Sequence, residues 1–256
     1  MSGRRETVTM RRHWRGTACA LTLLATLSAC GGTKTEVVPL PDARKPPCVA
    51  DDGVLVGWLD GDAYPDRVTD RDQGRATTVE WGTSEGGFEK PVGIRSLIGA
   101  RNKEDAAGVA ADINGDDELD LVVVALTTPL YDDPEPARIK ELRIGPLHRD
   151  GRSGHTLGLD LRGNGGLSLT DFKHDRRPDV AAWDYQGDGV YGVLRLLNTG
   201  KGLSRDETYH ENDEWGQHDP ANLPRTPLDE FYAHCGSDGS TTPAPPTSRT
   251  PARTRS

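Results

Sequence analysis

Short apolar runs alternate with acidic loops along the middle of the chain. Three runs each lead into an aspartate-rich loop, and a second apolar run follows each loop directly. The leading runs are residues 54–58, 107–111 and 167–170, and the following runs are residues 67–69, 121–126 and 180–183. Short apolar runs bounded by turn residues predict β-strands. Each acidic loop is therefore predicted to connect two strands.

A third strand and a glycine-containing turn follow each of these pairs. Apolar and polar residues alternate at 77–81, 139–144 and 191–197, and turns follow at 84–88, 149–152 and 198–204. Alternation with a period of two, broken by Gly, Asp and Asn, is typical of antiparallel meanders. No window predicts an amphipathic helix of ten or more residues. The fold class is therefore predicted to be nearly all-β.

The acidic loops recur at a regular interval. When they are aligned, their third positions are Asp60, Asn114 and Lys173, which lie 54 and 59 residues apart. Loop positions below are counted so that these residues are position 3. A period of this size is typical of repeat architectures.

The middle loop carries the strongest chemical signal. Side chains with oxygen atoms occupy every second position, namely Asp112, Asn114, Asp116, Glu118 and Asp120. Gly115 supplies the tight bend between them. Such a loop offers five or six oxygen ligands at about 2.3–2.6 Å, which suits Ca²⁺ far better than a soft metal. The sequence therefore predicts calcium at this loop.

The first and third loops are weaker candidates for the same ion. In the first loop Trp58 stands at position 1, and the remaining candidate ligands are Asp60, Asp62 and Asp66. The third loop offers Asp171, Asp175 and Asp179, but it has Lys173 at position 3. The lysine ammonium is expected to supply internally the charge that a cation would supply. For every loop the alternative is an Asp- and Asn-rich turn capped by its own side chains, which needs no ion.

An EF-hand would contain a similar loop. It requires a bidentate acid at position 12 and a helix on each side. Val123 holds that position, inside a β-branched run. The EF-hand interpretation is therefore excluded.

The middle loop and its surroundings resemble a known repeat. Asp112-x-Asn114-Gly-Asp116-x-x-x-Asp120 followed by Leu-Val, with the turns at 83–91 and 196–204, is similar to the FG-GAP or VCBS repeat of integrin-α-type β-propellers and bacterial surface proteins. The resemblance implies a β-propeller-like array with calcium held in the hairpins. Asp112, Asn114, Asp116 and Asp120 would then bind the ion through side chains, and Glu118 through its backbone carbonyl.

The resemblance covers residues 53–204 and also divides the chain. It implies blades at about 53–98, 106–155 and 166–204, within a domain at 48–235. Closed propellers have about four to eight blades. Residues 205–235 are then either a divergent fourth blade or a wrap over the last sheet, and four small blades, an open arc and half of a homodimer remain alternatives.

The start of the chain predicts export. Arg11, Arg12 and Arg15 precede a stretch of Ala and Leu that is too short to span a bilayer, as in a signal peptide. It ends in Leu-Ser-Ala-Cys30, which resembles the lipobox of bacterial lipoproteins. We therefore expect a signal peptide at 1–29, a lipid on Cys30 and a flexible tether at 30–47. The expected location is the outer face of the bacterial cell membrane.

The charge of the chain bears on its partners, and its cysteine content predicts a disulfide. The formal charge is −9, and without residues 1–29 the chain has 26 basic and 39 acidic residues, or −13. This acidity argues against nucleic acid as a partner. Cys48 and Cys235 are expected to form a disulfide, as cysteine pairs in exported proteins do. The tail at 236–256 is Ser/Thr/Pro/Arg-rich and is predicted to be disordered.

Two motif matches are discounted. Gly82-Thr-Ser84-Glu-Gly86 fits the nucleophile elbow of α/β-hydrolases, but Gly87 and Pro91 follow where a helix is needed, so a hairpin turn is predicted. The run 187–192 fits a dinucleotide-binding loop, but a strand follows it instead of a helix. A further cation loop using Asp184 and Asp188 is the preferred interpretation there. The polar and aromatic segment 207–234 is an alternative binding surface.

These observations favour a non-catalytic binding or interaction module with a calcium cofactor and no catalytic residues. Its ligand would be an unidentified protein or glycan. The alternatives are a hydrolase of glycans or esters on a propeller scaffold and a purely structural envelope lipoprotein.

Overall fold

The computed structural model describes residues 45–127, 137–161, 166–187, 190–209 and 223–236. These residues form three antiparallel sheets, each a meander in which neighbours in sequence are neighbours in space. The first sheet contains β1 (Cys48–Val49), β2 (Leu55–Gly57), β3 (Asp66–Thr69), β4 (Thr78–Glu80) and β5 (Val92–Gly93). None of the three sheets closes on itself. The predicted all-β class is thus confirmed.

The second and third sheets repeat the last four strands of the first. The middle sheet contains β6 (Glu104–Ala111), β7 (Asp120–Thr127), β8 (Ile139–Leu147) and β9 (Ser153–Gly158). The third contains β10 (Leu167–Thr170), β11 (Asp179–Gly187), β12 (Val190–Asn198) and β13 (Leu203–Arg205). In every sheet the acidic loop joins the strand pair that the sequence predicted, namely β2–β3, β6–β7 and β10–β11.

The middle sheet is buried on both faces at β6 and β7, because these two strands are apolar at nearly every position. One face contributes Ala106, Ala110, Leu121 and Val123 to a core shared with the first sheet. The opposite face contributes Ala107, Val109, Val122 and Val124 to a core shared with the third sheet. Burying each Val or Leu side chain is worth about 1.5–3 kcal/mol. The middle sheet therefore shares a core with each of the other two.

A single short α-helix occurs in the described part of the chain. This helix, α1 (Ile94–Leu97), follows β5 and packs Ile94 and Leu97 into the core between the first two sheets. Gly108 on β6 leaves the space that Ile94 fills, since a Cβ there would overlap the isoleucine side chain. No helix among the described residues has the length and apolar character needed to cross a membrane.

The segment 223–236, named the strap here, links the third sheet to the first. Thr226 N–H donates to the Leu169 carbonyl at 3.0 Å, and Val49 N–H donates to the Ala233 carbonyl at 2.9 Å. The predicted disulfide between Cys48 and Cys235 is present and fixes the end of the strap to β1. The strap contains a 3-10 turn (Leu228–Glu230) and no strand of a fourth sheet. Residues 210–222 of the candidate fourth blade lie outside the described residues.

Candidate metal centre

The three acidic loops share a left-handed backbone at position 4, and the middle and third loops share a second one at position 6, where Asp117 and Arg176 have φ of 68° and 64°. Position 4 is Gly61, Gly115 or His174, with φ of 75°, 79° and 56°. In each loop the carboxylate at position 5 accepts the backbone N–H two residues later. These bonds join Tyr64 to Asp62 at 2.7 Å, Glu118 to Asp116 at 3.0 Å and Arg177 to Asp175 at 3.0 Å. Turns of this kind, in which an aspartate accepts from its own backbone, hold the loop shape.

The aspartates at position 9 lock each loop onto its sheet. Asp66, Asp120 and Asp179 are each 0% exposed. One carboxylate oxygen accepts the N–H of loop position 2, from Leu59 at 2.8 Å, Ile113 at 2.9 Å and Phe172 at 3.0 Å. The other oxygen accepts an N–H at the end of the third strand, from Gly82 at 2.9 Å, Gly145 at 2.9 Å and Asn198 at 2.6 Å. These candidate calcium ligands are therefore also structural acceptors in the protein.

Two glycines permit this arrangement by close approach. A Cβ on Gly82 would lie 2.5 Å from the Pro65 carbonyl, and a Cβ on Gly145 would lie 2.8 Å from the Leu119 carbonyl. Gly145 also lies where the register between β8 and β9 shifts. A bulge of this kind frees a backbone N–H from the ladder. That N–H is the one that Asp120 accepts.

Burial sets the electrostatics of the position-9 carboxylates. Desolvation raises the pKa of Asp66 and of Asp120 to about 6, against the lowering effect of the N–H groups that donate to them. The pKa of Asp179 is raised for the same reason. Because these groups then bind protons more tightly in the folded state than in the unfolded chain, their contribution to stability falls as pH rises from about 4 through 6 in the absence of a cation. A positive charge nearby would oppose this effect.

In the middle loop the remaining oxygens converge on backbone N–H groups. Asp112 Oδ1 accepts from Gly115 at 2.7 Å and from Asp116 at 3.2 Å, and its Oδ2 accepts from Asp117 at 3.1 Å. Asn114 Nδ2 donates to Asp116 Oδ2 at 2.8 Å. Within the described residues, no three His, Cys, Asp or Glu side chains are already placed to hold a metal ion. The loop therefore has the shape and oxygen content of the predicted site, and its side chains form hydrogen bonds within the loop.

In the first loop an arginine from another sheet occupies the carboxylates. Arg149, on the turn between β8 and β9, places Nε 2.7 Å from Asp60 Oδ2 and Nη2 3.0 Å from Asp62 Oδ2. The same guanidinium pairs with Glu89, donates to the Gly82 carbonyl at 3.2 Å and lies over a tryptophan ring. Two candidate ligands of the first loop, Asp60 and Asp62, thus already face a cation.

In the third loop Lys173 is the cation, as the sequence predicted. Its ammonium lies 3.0 Å from Asp175 Oδ2 and 3.8 Å from Asp179 Oδ1, and it also donates to the Asn198 carbonyl. Asp171 accepts two backbone N–H groups, from Asp175 and Arg176, both at 3.0 Å.

The strap reaches the first residue of the middle loop. Asp112 N–H donates to the hydroxyl of Tyr232 at 3.0 Å. Leu228 packs against both cores, while Phe231 and Tyr232 pack against one core each. The strap therefore supports the loop from the junction between the cores.

The other predicted site residues lie outside the three acidic loops. Ser84 is exposed in the predicted hairpin turn, where Thr83 N–H donates to the Gly87 carbonyl at 3.0 Å, and no helix follows it. Asp184 lies on β11, 3.3 Å from Arg205. Asp188 and Cys30 lie outside the described residues.

Sequence reasoning missed Arg149 and Tyr232. Arg149 lies 89 residues from Asp60, and Tyr232 lies 120 residues from Asp112. Neither belongs to a loop motif. The sequence contains both residues, but it does not show which loop each one reaches.

Comparisons of the chain with protein-family models, curated proteins and solved structures found no match. What the site binds must therefore be inferred from its own geometry. The three loops provide an internal comparison, because they share the hydrogen bonds of the carboxylates at positions 5 and 9 and differ in the cation beside them.

Proposed function

We propose that this chain is an exported, lipid-anchored, calcium-binding β-repeat protein that acts as a non-catalytic binding module at the outer face of the bacterial cell membrane. In this proposal its three sheets are blades of an FG-GAP/VCBS-type, β-propeller-like array. Calcium braces the middle loop, the lipid on Cys30 anchors the chain, and the ligand is a protein or glycan. The three equivalent loops support the repeat assignment.

The observation that carries the calcium proposal is the charge balance of the loops. In the first loop Asp60 and Asp62 pair with Arg149, and in the third loop Asp175 and Asp179 pair with Lys173. In the described part of the chain no lysine or arginine forms an ion pair with Asp112, Asp116 or Asp120. The middle loop therefore concentrates three carboxylates without a protein cation, and a bound cation would relieve their repulsion.

The donor set fits calcium better than other metals. The loop offers carboxylate, amide and carbonyl oxygens and no sulfur or imidazole, which suits a hard cation. A carboxylate oxygen that accepts one N–H retains a lone pair for a metal. The hydrogen bond between Asn114 and Asp116 is the contact that binding would have to break.

Thermal unfolding of the full chain tests this proposal. Calcium at about 100 times its Kd would add about 2.7 kcal/mol to the stability. For a domain of this size that corresponds to a rise in Tm of about 5–10 °C. Asp116→Ala should abolish the rise, whereas Asp175→Ala, at the same position of the third loop, should retain it. An identical melt in calcium and in EDTA would contradict the proposal.

The non-catalytic assignment is tested against the hydrolase alternative. Ser84 is the only motif residue that the alternative offers, and it is exposed in a turn. Ester- or glycan-hydrolysing activity that Ser84→Ala removes would favour the hydrolase. A pull-down from the envelope fraction with and without calcium distinguishes the binding module from a structural lipoprotein. Calcium-dependent capture of a partner supports the binding module.

A further inference from the structure

Arg149 and Lys173 each pair with the carboxylate at position 5 of an acidic loop. Lys173 lies 3.0 Å from the carboxylate at position 5 of its own loop, Asp175. Arg149 lies 3.0 Å from the carboxylate at position 5 of the first loop, Asp62. One cation comes from within the loop and the other from the β8–β9 turn of the next sheet.

The middle loop has a neutral group at the same place. Asn114 Nδ2 lies 2.8 Å from Asp116 Oδ2, the carboxylate at position 5. An amide donates a hydrogen bond there but brings no charge. The middle and third loops therefore differ in the charge placed at position 5, while their positive φ values at positions 4 and 6 and their buried position-9 aspartates are alike.

We propose that Arg149 and Lys173 are built-in cations that take the place of calcium in the first and third loops, so that the chain binds one calcium ion, at the middle loop. This inference rests on the proposed calcium site. A tethered cation acts at a high effective concentration, and like charges at one cluster repel. Arg149 also carries a planar fork of donors, which suits several carboxylates at once. The residues beside the carboxylates, and not the carboxylates themselves, therefore determine which loop binds calcium.

The third loop offers the sharpest test. Lys173→Asn gives it the same side chains as the middle loop at positions 1, 3, 5 and 9. Isothermal titration of the full chain with calcium should then show the number of sites rising from one to two. Lys201→Asn, which removes an exposed lysine of the β12–β13 turn, is the matched control and should leave one site. Near-ultraviolet circular dichroism checks that each variant retains its packing.

A reciprocal variant tests whether a lysine at position 3 prevents calcium binding at the middle loop. Asn114→Lys places an ammonium in the middle loop and should reduce the number of sites from one to zero. Adding Lys173→Asn to this variant should restore one site. In the Asn114→Lys variant, Arg149→Gln should likewise create a calcium site at the first loop. Its affinity should be lower, because Trp58 supplies no ligand at position 1.

The outcomes separate this inference from the calcium proposal. One site in both the wild type and folded Lys173→Asn overturns the inference and leaves the middle-loop site standing. More than one site in the wild type, or binding that survives Asn114→Lys, also overturns it. No site in the wild type but one in Lys173→Asn contradicts the middle-loop proposal and supports the role of the lysine. No binding by either protein overturns both.

Discussion

Arg138→Ala would leave a buried carboxylate without its cation at the start of the middle sheet. The Glu104 side chain is 3% exposed, and Arg138 holds it through two nitrogen–oxygen contacts, each of 2.6 Å. Arg101 N–H also donates to Glu104 at 2.7 Å. The hydrogen bonds from Arg138 are the main reason that the pKa of Glu104 falls from 4.5 to about 2. In the variant the carboxylate would keep the Arg101 N–H and lose the charge.

The pKa gives the expected size of the effect. A drop from 4.5 to about 2 corresponds to about 3 kcal/mol. Since the guanidinium of Arg138 is 34% exposed, solvent screening reduces the expected loss to about 2 kcal/mol at pH 7. Arg152→Ala removes an arginine that is 79% exposed and pairs with a neighbouring aspartate. That control should leave the unfolding free energy close to that of the wild type, because solvent screens an exposed ion pair.

Urea unfolding in EDTA across a range of pH measures both size and sign. A carboxylate with a lowered pKa contributes stability that is present above the unfolded pKa, near 4.5, and is lost as pH falls towards 2. The difference in unfolding free energy between wild type and Arg138→Ala should therefore be largest near pH 7 and shrink as acid protonates the carboxylate, first in the variant, where the guanidinium no longer opposes the effect of burial. A loss below about 0.5 kcal/mol at pH 7, or a difference unchanged on acidification, would refute this account of the pair.

Three further expectations concern packing, the disulfide and the loops. Gly108→Ala should cost about 1–3 kcal/mol, because the added methyl overlaps the α1 isoleucine; an unchanged urea midpoint would contradict this. Reducing the bond between Cys48 and Cys235, which are 187 residues apart, should lower the unfolding free energy by up to about 5 kcal/mol, measured by urea unfolding with and without a dithiol. Asp120→Ala leaves two buried N–H groups without an acceptor and should lower the unfolding free energy by about 2 kcal/mol even in EDTA. Asp116→Ala should change it in EDTA by less than about 0.5 kcal/mol. Equal losses would contradict a structural role for Asp120 and a calcium-binding role for Asp116.

The strands and loops were predictable because their signals are local. β10 (Leu167–Thr170) has the predicted bounds, and β7 (Asp120–Thr127) and β12 (Val190–Asn198) differ by one residue at each end. Apolar alternation and turn residues record these elements directly. Short polar strands such as β9 (Ser153–Gly158) leave no such record, since they pair at the edge of a sheet with little to bury.

The candidate site was predictable only in part, because its determinants include long-range contacts. The aspartate spacing identifies the oxygens, and the position of Lys173 predicts its own ion pair. That spacing gives no indication that Arg149 crosses from another sheet. It also does not show that both carboxylate oxygens of Asp120 accept backbone N–H groups. Those facts depend on how the sheets pack and on the bulge in β8.

A crystal structure of the full chain grown with calcium would test the central claim most directly. Anomalous difference density should show one calcium ion, at the middle loop. Its ligands should be Asp112, Asn114, Asp116, Asp120 and the Glu118 carbonyl, while Arg149 and Lys173 keep their places in the other loops. A map without density at the middle loop, or with calcium displacing either basic side chain, would contradict the account.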